Sequence, residues 1–334
     1  MKAFILAAGF GTRLWPLTED RTKAAVPFLN RPLIGYSVEY LTSFGIRDVI
    51  VNLHHQPDSI RRALGDGSDF GAKLTYSLEE EILGTSGALD AVRDALADED
   101  FVVINGKIVT DIDLREAIEA HRKQNAIATL VLKENAAREH FSIVEVDERG
   151  WIRRFAGFPD AAASQAAAGE TSSRVDAGSN TDTVPLMFTG IQVLSPRIFE
   201  YIPRCMFSHS TLHVYPQAIV DGEAVVGHVS NGNWYEMSTL DRYLGASLRL
   251  NRNNGRSIVA GCDCSVDDGA EVKDSVMWDR VVVEGGARVK QAVLGDDVRI
   301  PAGSVIERAV VVRRDTVREV ERGEVSGDNL IVAI

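Results

Sequence analysis

Residues Leu6 to Thr18 read LAAGFGTRLWPLT, and a second cation, Lys23, stands ten positions beyond Arg13. Glycines at 9 and 11 leave backbone N–H groups bare, which suits a phosphate that needs several donors with no side chain in the way. Arg13 offers a planar fork for two phosphate oxygens, and Lys23 a compact charge on a flexible stem. Two common phosphate-loop patterns do not fit. A dinucleotide fingerprint requires a third glycine where Leu14 stands, and a nucleoside-triphosphatase loop requires Gly-Lys-Ser/Thr where this chain has Gly-Thr-Arg-Leu. The ligand expected is one that carries phosphates.

Such a loop needs a strand to carry it. Phe4–Ala7, Val49–Leu53, Phe101–Ile104 and Ile127–Leu132 read as strands, with helical periodicity between them. In the first helix Leu33, Ile34, Ser37, Val38, Tyr40, Leu41 and Phe44 recur with a period near 3.6, and Gly45 follows as the C-terminal stop. This alternation predicts an α/β fold: a mostly parallel sheet flanked by helices, with the glycine loop at the carboxyl end of its first strand, where such sheets bind ligands. After Ile143 the pattern changes, and Ser142–Val146 and Trp151–Phe155 read as a hairpin turning at Glu148-Arg149-Gly150. Residues 159–183 are rich in Ala, Ser, Gly and Thr and read as a mobile insertion. A strand at Met187–Leu194 and a helix from about Thr239 to Asn251 complete a first unit, residues 1–253.

Residues 254–334 carry a repeat. Gly269, Gly286 and Gly303 recur every 17 residues, and the blocks VDDGAEVKDSVMWDRVV, VEGGARVKQAVLGDDVR and IPAGSVIERAVVVRRDT align without gaps. Each block has the length of one coil of a short left-handed parallel β-helix, and stacked coils bury a common core; a loose array of hairpins is the alternative. Such a unit favours self-assembly, so a homo-oligomer is expected, with the apolar end Leu330–Ile334 adding to the contact.

Composition narrows the partners. The 334 residues hold 36 Lys and Arg against 48 Asp and Glu, a net charge of −12, which disfavours nucleic acid and anionic membranes. No apolar run approaches the roughly 18 residues of a membrane span, and a cytosolic protein is expected. Cys205, Cys262 and Cys264 are too few for a disulfide framework, and Cys262 and Cys264 read as small apolar fillers. His209 and His213 have a zinc-compatible spacing, yet no HExxH glutamate lies between them, so they read as a surface turn.

The motif LAAGxGTRLxPLT with Lys23 and Pro27 resembles the signature of sugar nucleotidyltransferases, also called nucleotide-sugar pyrophosphorylases. Four more segments follow in the family's order: Leu83-Gly84-Thr85-Ser86-Gly87-Ala88-Leu89, Asn105-Gly106, Phe188-Thr189-Gly190-Ile191, and Trp234-Tyr235-Glu236-Met237-Ser238-Thr239. With a β-helix following the Rossmann-like unit, the chain is most similar to mannose-1-phosphate guanylyltransferases. The resemblance implies that a sugar 1-phosphate attacks the α-phosphorus of a nucleoside triphosphate, releasing pyrophosphate and a nucleotide-sugar. It implies nucleotide contacts at Leu6, Ala8, Gly9, Gly11, Thr12, Gly84, Thr85 and Asn105, sugar contacts at Gly190 and Glu236, and phosphate contacts at Arg13 and Lys23.

Three polar functions depart from that pattern, and Ser238 in place of the family's glycine is a smaller change. The family holds Mg²⁺ with two aspartates, where this chain has Lys107 and Glu236. The family's Glu-Lys-Pro lysine is replaced by Phe158. An ammonium repels a metal ion, leaving Glu236, with Asp111 or Asp113 nearby, as the candidate Mg²⁺ ligands. Two readings follow. Either Lys107 is a tethered cation where magnesium would sit, with catalysis preserved, or Lys107 and Glu236 close a dead site in a paralogue that binds nucleotide or nucleotide-sugar and regulates a catalytic partner.

Overall fold

The structure, a computed structural model, describes residues 1–136, 143–155, 184–253 and 257–334. Ser142, Phe158 and the insertion expected at 159–183 lie outside the described residues.

The strand β1 (Ala3–Leu6) lies between β2 (Asp48–Leu53) and β4 (Phe101–Asn105), and β3 (Lys73–Leu78) borders β2; all of these pairings are parallel. Alternate residues of these strands face opposite sides. Ala3, Ile5, Val49, Val51, Val102 and Ile104 pack against Ile34, Val38 and Leu41 of helix α1 (Leu33–Ser43), whereas Phe4, Ile50, Phe101 and Val103 pack beneath Leu89, Leu96, Ile198 and Phe199. With both faces covered, β1, β2 and β4 need apolar side chains at nearly every position, which is why they read as continuous apolar runs, whereas the edge strand β3 is half-buried to exposed. Gly45 takes φ +80 after α1, as the helix stop requires.

The other half of the sheet is mixed, its antiparallel strands lying where the pattern changes after Ile143. The long strand β9 (Leu186–Leu194) runs antiparallel to β4, to β6 (Ala128–Glu134) and to β7 (Ile143–Val146), and β7 forms the expected hairpin with β8 (Ile152–Phe155). Asp147 closes that hairpin, its Oδ1 accepting from the N–H groups of Arg149 and Trp151, both at 2.9 Å. Strand β10 (Val225–Val229) pairs parallel with β6, completing nine strands. A separate ribbon joins β5 (Ile108–Thr110) antiparallel to β11 (Trp234–Glu236), with Glu236 opposite Ile108.

From Ile258 onward three parallel stacks of short strands repeat at the predicted interval. Val259 pairs with Val276, Val276 with Val293 and Val293 with Val310, each 17 residues on. Val283 with Ile300 and Val289 with Ile306 continue the interval on the other two walls. One wall is buried on both sides. Met277, Leu294 and Val311 point into the prism, while Val276, Val293 and Val310 point outward onto Tyr243 and Leu244 of helix α4 (Leu240–Asn253) and share a core with Leu14, Trp15 and Phe28. The C-terminal strand Asn329–Ala333 pairs antiparallel with Ala309–Arg313, burying Leu330 and Val332. The apolar C-terminal end expected to join an assembly contact is thus used within the chain.

Cys262 is exposed rather than a filler, its N–H donating to Asp279 Oδ1 at 2.8 Å in the next coil, and Cys264 donates its thiol to the carbonyl of Trp278 at 2.9 Å. His209 precedes and His213 lies within a π-helical turn at Ser210–Val214, with His209 N–H donating to His213 Nδ1 at 2.9 Å. Among the described residues no group of three or more His, Cys, Asp or Glu side chains is arranged for a metal, and no helix is long and apolar enough to cross a membrane.

Candidate functional site

The glycine loop leaves β1 at the carboxyl edge of the sheet. A Cβ on Gly9 would meet nothing within 4 Å, so this backbone faces open space. Gly11 has φ +75, and a Cβ there would lie 3.0 Å from Lys23 Cβ and 3.1 Å from Thr18 Cγ2. Only glycine lets Lys23 close against the loop in that conformation. A single turn at Thr12–Leu14 then buries Leu14 and leaves Thr12 and Arg13 exposed, so the anchor and the contact residues are adjacent in sequence and opposite in direction. Thr18 and Thr22 hydroxyls donate to the carbonyls of Gly11 and Gly9 at 3.2 and 3.5 Å, holding the descending limb beneath the loop.

Leu6 stands beside Asn105 in the parallel register, and its carbonyl accepts from Gly106 N–H at 2.9 Å. Across from them β9 shifts register between Phe188 and Gln192, and Gly190 in that shift has φ +83. A Cβ on Gly190 would fall 2.1 Å from Asn105 Nδ2, so the glycine makes the room that Asn105 occupies. On the other side Gly84, at φ +77, starts helix α2 (Gly84–Asp90) with its Cα hydrogen toward the carbonyl of Ser208, 2.4 Å from any Cβ. Thr85 Oγ1 accepts from Ser210 N–H at 2.9 Å.

The two departures from the family pattern meet. Lys107 Nζ pairs with Glu236 Oε1, and Arg242 Nη1 from the first turn of α4 reaches Glu236 Oε2 at 3.1 Å. The ribbon dictates this, since Glu236 ends β11 opposite the start of β5 and Met237 N–H donates to the carbonyl of Lys107 at 3.0 Å. Burial pushes the Glu236 carboxyl up, but Lys107, Ser238 and Arg242 together hold it below the usual carboxylate range. Burial, then the positive charges of Lys107 and Arg13, lower Lys23 to about 8, against a smaller opposing pull from Glu236. Four cations therefore converge with one carboxylate, an excess of positive charge directly under the glycine loop.

This donor set does not suit a protein-held Mg²⁺, which favours an octahedron of oxygens. Both Glu236 oxygens are taken by cations. Asp111, expected as a substitute ligand, accepts from the N–H and Nδ2 of Asn233 with its two oxygens, at 2.5 and 2.7 Å. Asp113 caps helix α3 (Leu114–Lys123) through Arg115 N–H at 3.0 Å.

Residues 2–253 match the sequence model of the nucleotidyl transferase family. The chain belongs to that family. Residues 249–329 match the GlmU-like C-terminal hexapeptide model, in keeping with the left-handed parallel β-helix. A Synechocystis UTP–glucose-1-phosphate uridylyltransferase is 26% identical over 85% of this chain and 72% of its own length. Mannose-1-phosphate guanylyltransferase 1 of Arabidopsis thaliana is 34% identical over 48% of this chain and 45% of its own length. A putative glucose-1-phosphate thymidylyltransferase from Bacillus anthracis shares the fold, with a TM-score of 0.60 at 22% identity over 76% of this chain and 96% of that one.

The site residues read from sequence fall on one edge of the sheet, apart from Asp111. Three further residues carried no motif: Arg242, Asn52 and Glu79. The last two sit at or just beyond the ends of β2 and β3, and each is a polar side chain closing an apolar run. A cleft of about 360 Å³ lies apart from the site, between the outer limb of the glycine loop and the β-helix, and is lined by Arg21, Arg31, Arg62 and Trp278.

Proposed function

We propose that the chain joins a sugar 1-phosphate to a nucleoside monophosphate, using Lys107 as a tethered cation. An oxygen of the sugar phosphate attacks the α-phosphorus; the new P–O bond forms as the α–β bridge breaks, and pyrophosphate leaves with the electron pair. Arg13, Lys23 and Lys107 hold the phosphates in line and neutralise the charge that spreads over them, the main task in phosphoryl transfer. Any Mg²⁺ arrives on the triphosphate rather than on protein carboxylates. The observation that carries this reading is the convergence of Arg13, Lys23, Lys107 and Arg242 around the single carboxylate Glu236, an excess of positive charge that favours an anionic ligand.

Guanine and mannose are the base and sugar we assign, supported by identities of 34% and 37% to mannose-1-phosphate guanylyltransferases of Arabidopsis and rice. The saturated Glu236 favours a second reading, a nucleotide-sugar binder that regulates a catalytic partner. Pyrophosphate release separates them. Purified protein is mixed with each nucleoside triphosphate, a panel of sugar 1-phosphates and Mg²⁺. Release with GTP and mannose 1-phosphate supports the transferase; no release from any pair, with GDP-mannose still bound, overturns it in favour of the binder.

A further inference from the structure

Beneath the glycine loop three strand ends are joined by a buried chain of hydrogen bonds. Ala7 N–H donates to Asn52 Oδ1 at 2.6 Å, and Asn52 Nδ2 donates to Glu79 Oε1 at 2.6 Å. Leu83 N–H donates to Glu79 Oε2 at 3.0 Å. Asn52 is 3% exposed and Glu79 4%. His54 Nδ1 lies 2.9 Å from the Glu79 carbonyl and fixes the backbone at that corner.

The polarity of this chain is forced. Both of its ends are backbone N–H groups, which can only donate. The two side chains between them must therefore supply an acceptor at each end and one donor–acceptor contact in the middle. Asn then Glu satisfies this, and so does Asp then Gln with the middle bond reversed. Asn–Gln or Asp–Glu leaves two donors or two acceptors facing each other in a dry site.

The ends of the chain matter as much as its middle. Ala7 opens the glycine loop, and Leu83 precedes Gly84 and Thr85 on the far wall of the nucleotide pocket. The far side of that wall rests on Ser208, whose carbonyl accepts from Ser86 N–H at 3.0 Å. We propose that Asn52 and Glu79 form a positioning relay: they set the separation of the glycine loop from the Leu83–Thr85 turn, and so the nucleotide affinity, without touching the nucleotide. The affinity part rests on the function proposed above; the coupling of the two walls does not.

The test compares wild type with Asn52→Ala, Asn52→Asp, Glu79→Gln and the double variant Asn52→Asp/Glu79→Gln. Amide hydrogen exchange is followed over Ala7–Thr12 and Leu83–Ser86, and binding of GTP, ATP, UTP and dTTP is measured by calorimetry. Each single variant is expected to speed exchange on both walls and weaken GTP binding about tenfold, the scale of one buried polar mismatch. The double variant restores both to near wild type, a rescue that loss of packing would not give. Exchange changed by Asn52→Ala on the Ala7 side alone, or a double variant as impaired as the singles, overturns the relay. A wild type that binds none of the four triphosphates overturns the proposed function instead, and the exchange data still decide whether the walls are coupled.

Discussion

Removing the charge of Lys23 should make the empty protein more stable while abolishing nucleotide binding. In the folded chain burial, Lys107 and Arg13 lower this ammonium from 10.5 to about 8. At about 1.4 kcal/mol per pKa unit, the charge costs the folded state roughly 3 kcal/mol at neutral pH. Lys23→Met keeps the apolar stem against Gly11 and deletes the charge, so urea unfolding at pH 7 should show a gain of about 2–3 kcal/mol. The gain has a definite pH profile. Below pH 8 the lysine is charged in both folded and unfolded chains, and the full cost is present. Between pH 8 and 10.5 the folded protein sheds the proton while the unfolded chain keeps it, so wild-type stability climbs toward that of the variant, and the gap closes near pH 10.5. A variant less stable than wild type at pH 7, or a gap that stays constant from pH 7 to 10, would contradict a buried charge cost at Lys23.

The same group should govern binding, because a bound phosphate restores the proton. GTP affinity is expected to hold below pH 8 and fall about tenfold per unit above it, with proton uptake visible by calorimetry in buffers of different ionisation enthalpy; a flat profile to pH 10 contradicts this. Glu236→Ala leaves Lys107 and Arg242 facing each other without their carboxylate, and a loss of about 3 kcal/mol in urea unfolding is expected. Gly190→Ala forces a Cβ into Asn105 at a positive φ, so stability should drop by about 2–3 kcal/mol and GTP binding with it. Trp278→Ala removes a core ring that donates to Tyr243 OH at 3.0 Å and stacks under Arg21; about 3–5 kcal/mol should be lost, with weaker GTP binding because Arg21 sits two residues before Lys23.

The parts of this fold that were legible in sequence are those whose signal is local. The glycine loop, the first helix with its Gly45 stop and the 17-residue repeat each follow from backbone geometry written into neighbouring residues. Strand direction is not local. The run Met187–Leu194 reads the same whichever way it points, and its antiparallel setting comes from pairing with β4, roughly 90 residues earlier in the chain. Lys107 and Glu236 stood out as departures from a motif, yet the ribbon that brings them together, and the third member Arg242, depended on tertiary placement. Asn52 and Glu79 were invisible for a related reason: each alone is a polar residue at a strand end, and only their shared polarity links Ala7 to Leu83. Asp111 had the right chemistry and proximity in sequence for a ligand, but Asn233 claims both of its oxygens.

The outward wall of the β-helix has a consequence for how the chain can fail. Val276, Val293 and Val310 lie in one core with Leu14 and Trp15, the residues that anchor the glycine loop. The loop is therefore anchored on residues roughly 260 to 300 positions away, and the seam between the two matched families is not a seam in the cooperative sense. Damage to a coil of the repeat would be felt as lost nucleotide affinity before any residue near a phosphate had changed. A loss-of-function variant mapped to the repeat should thus be read first as a loosened loop.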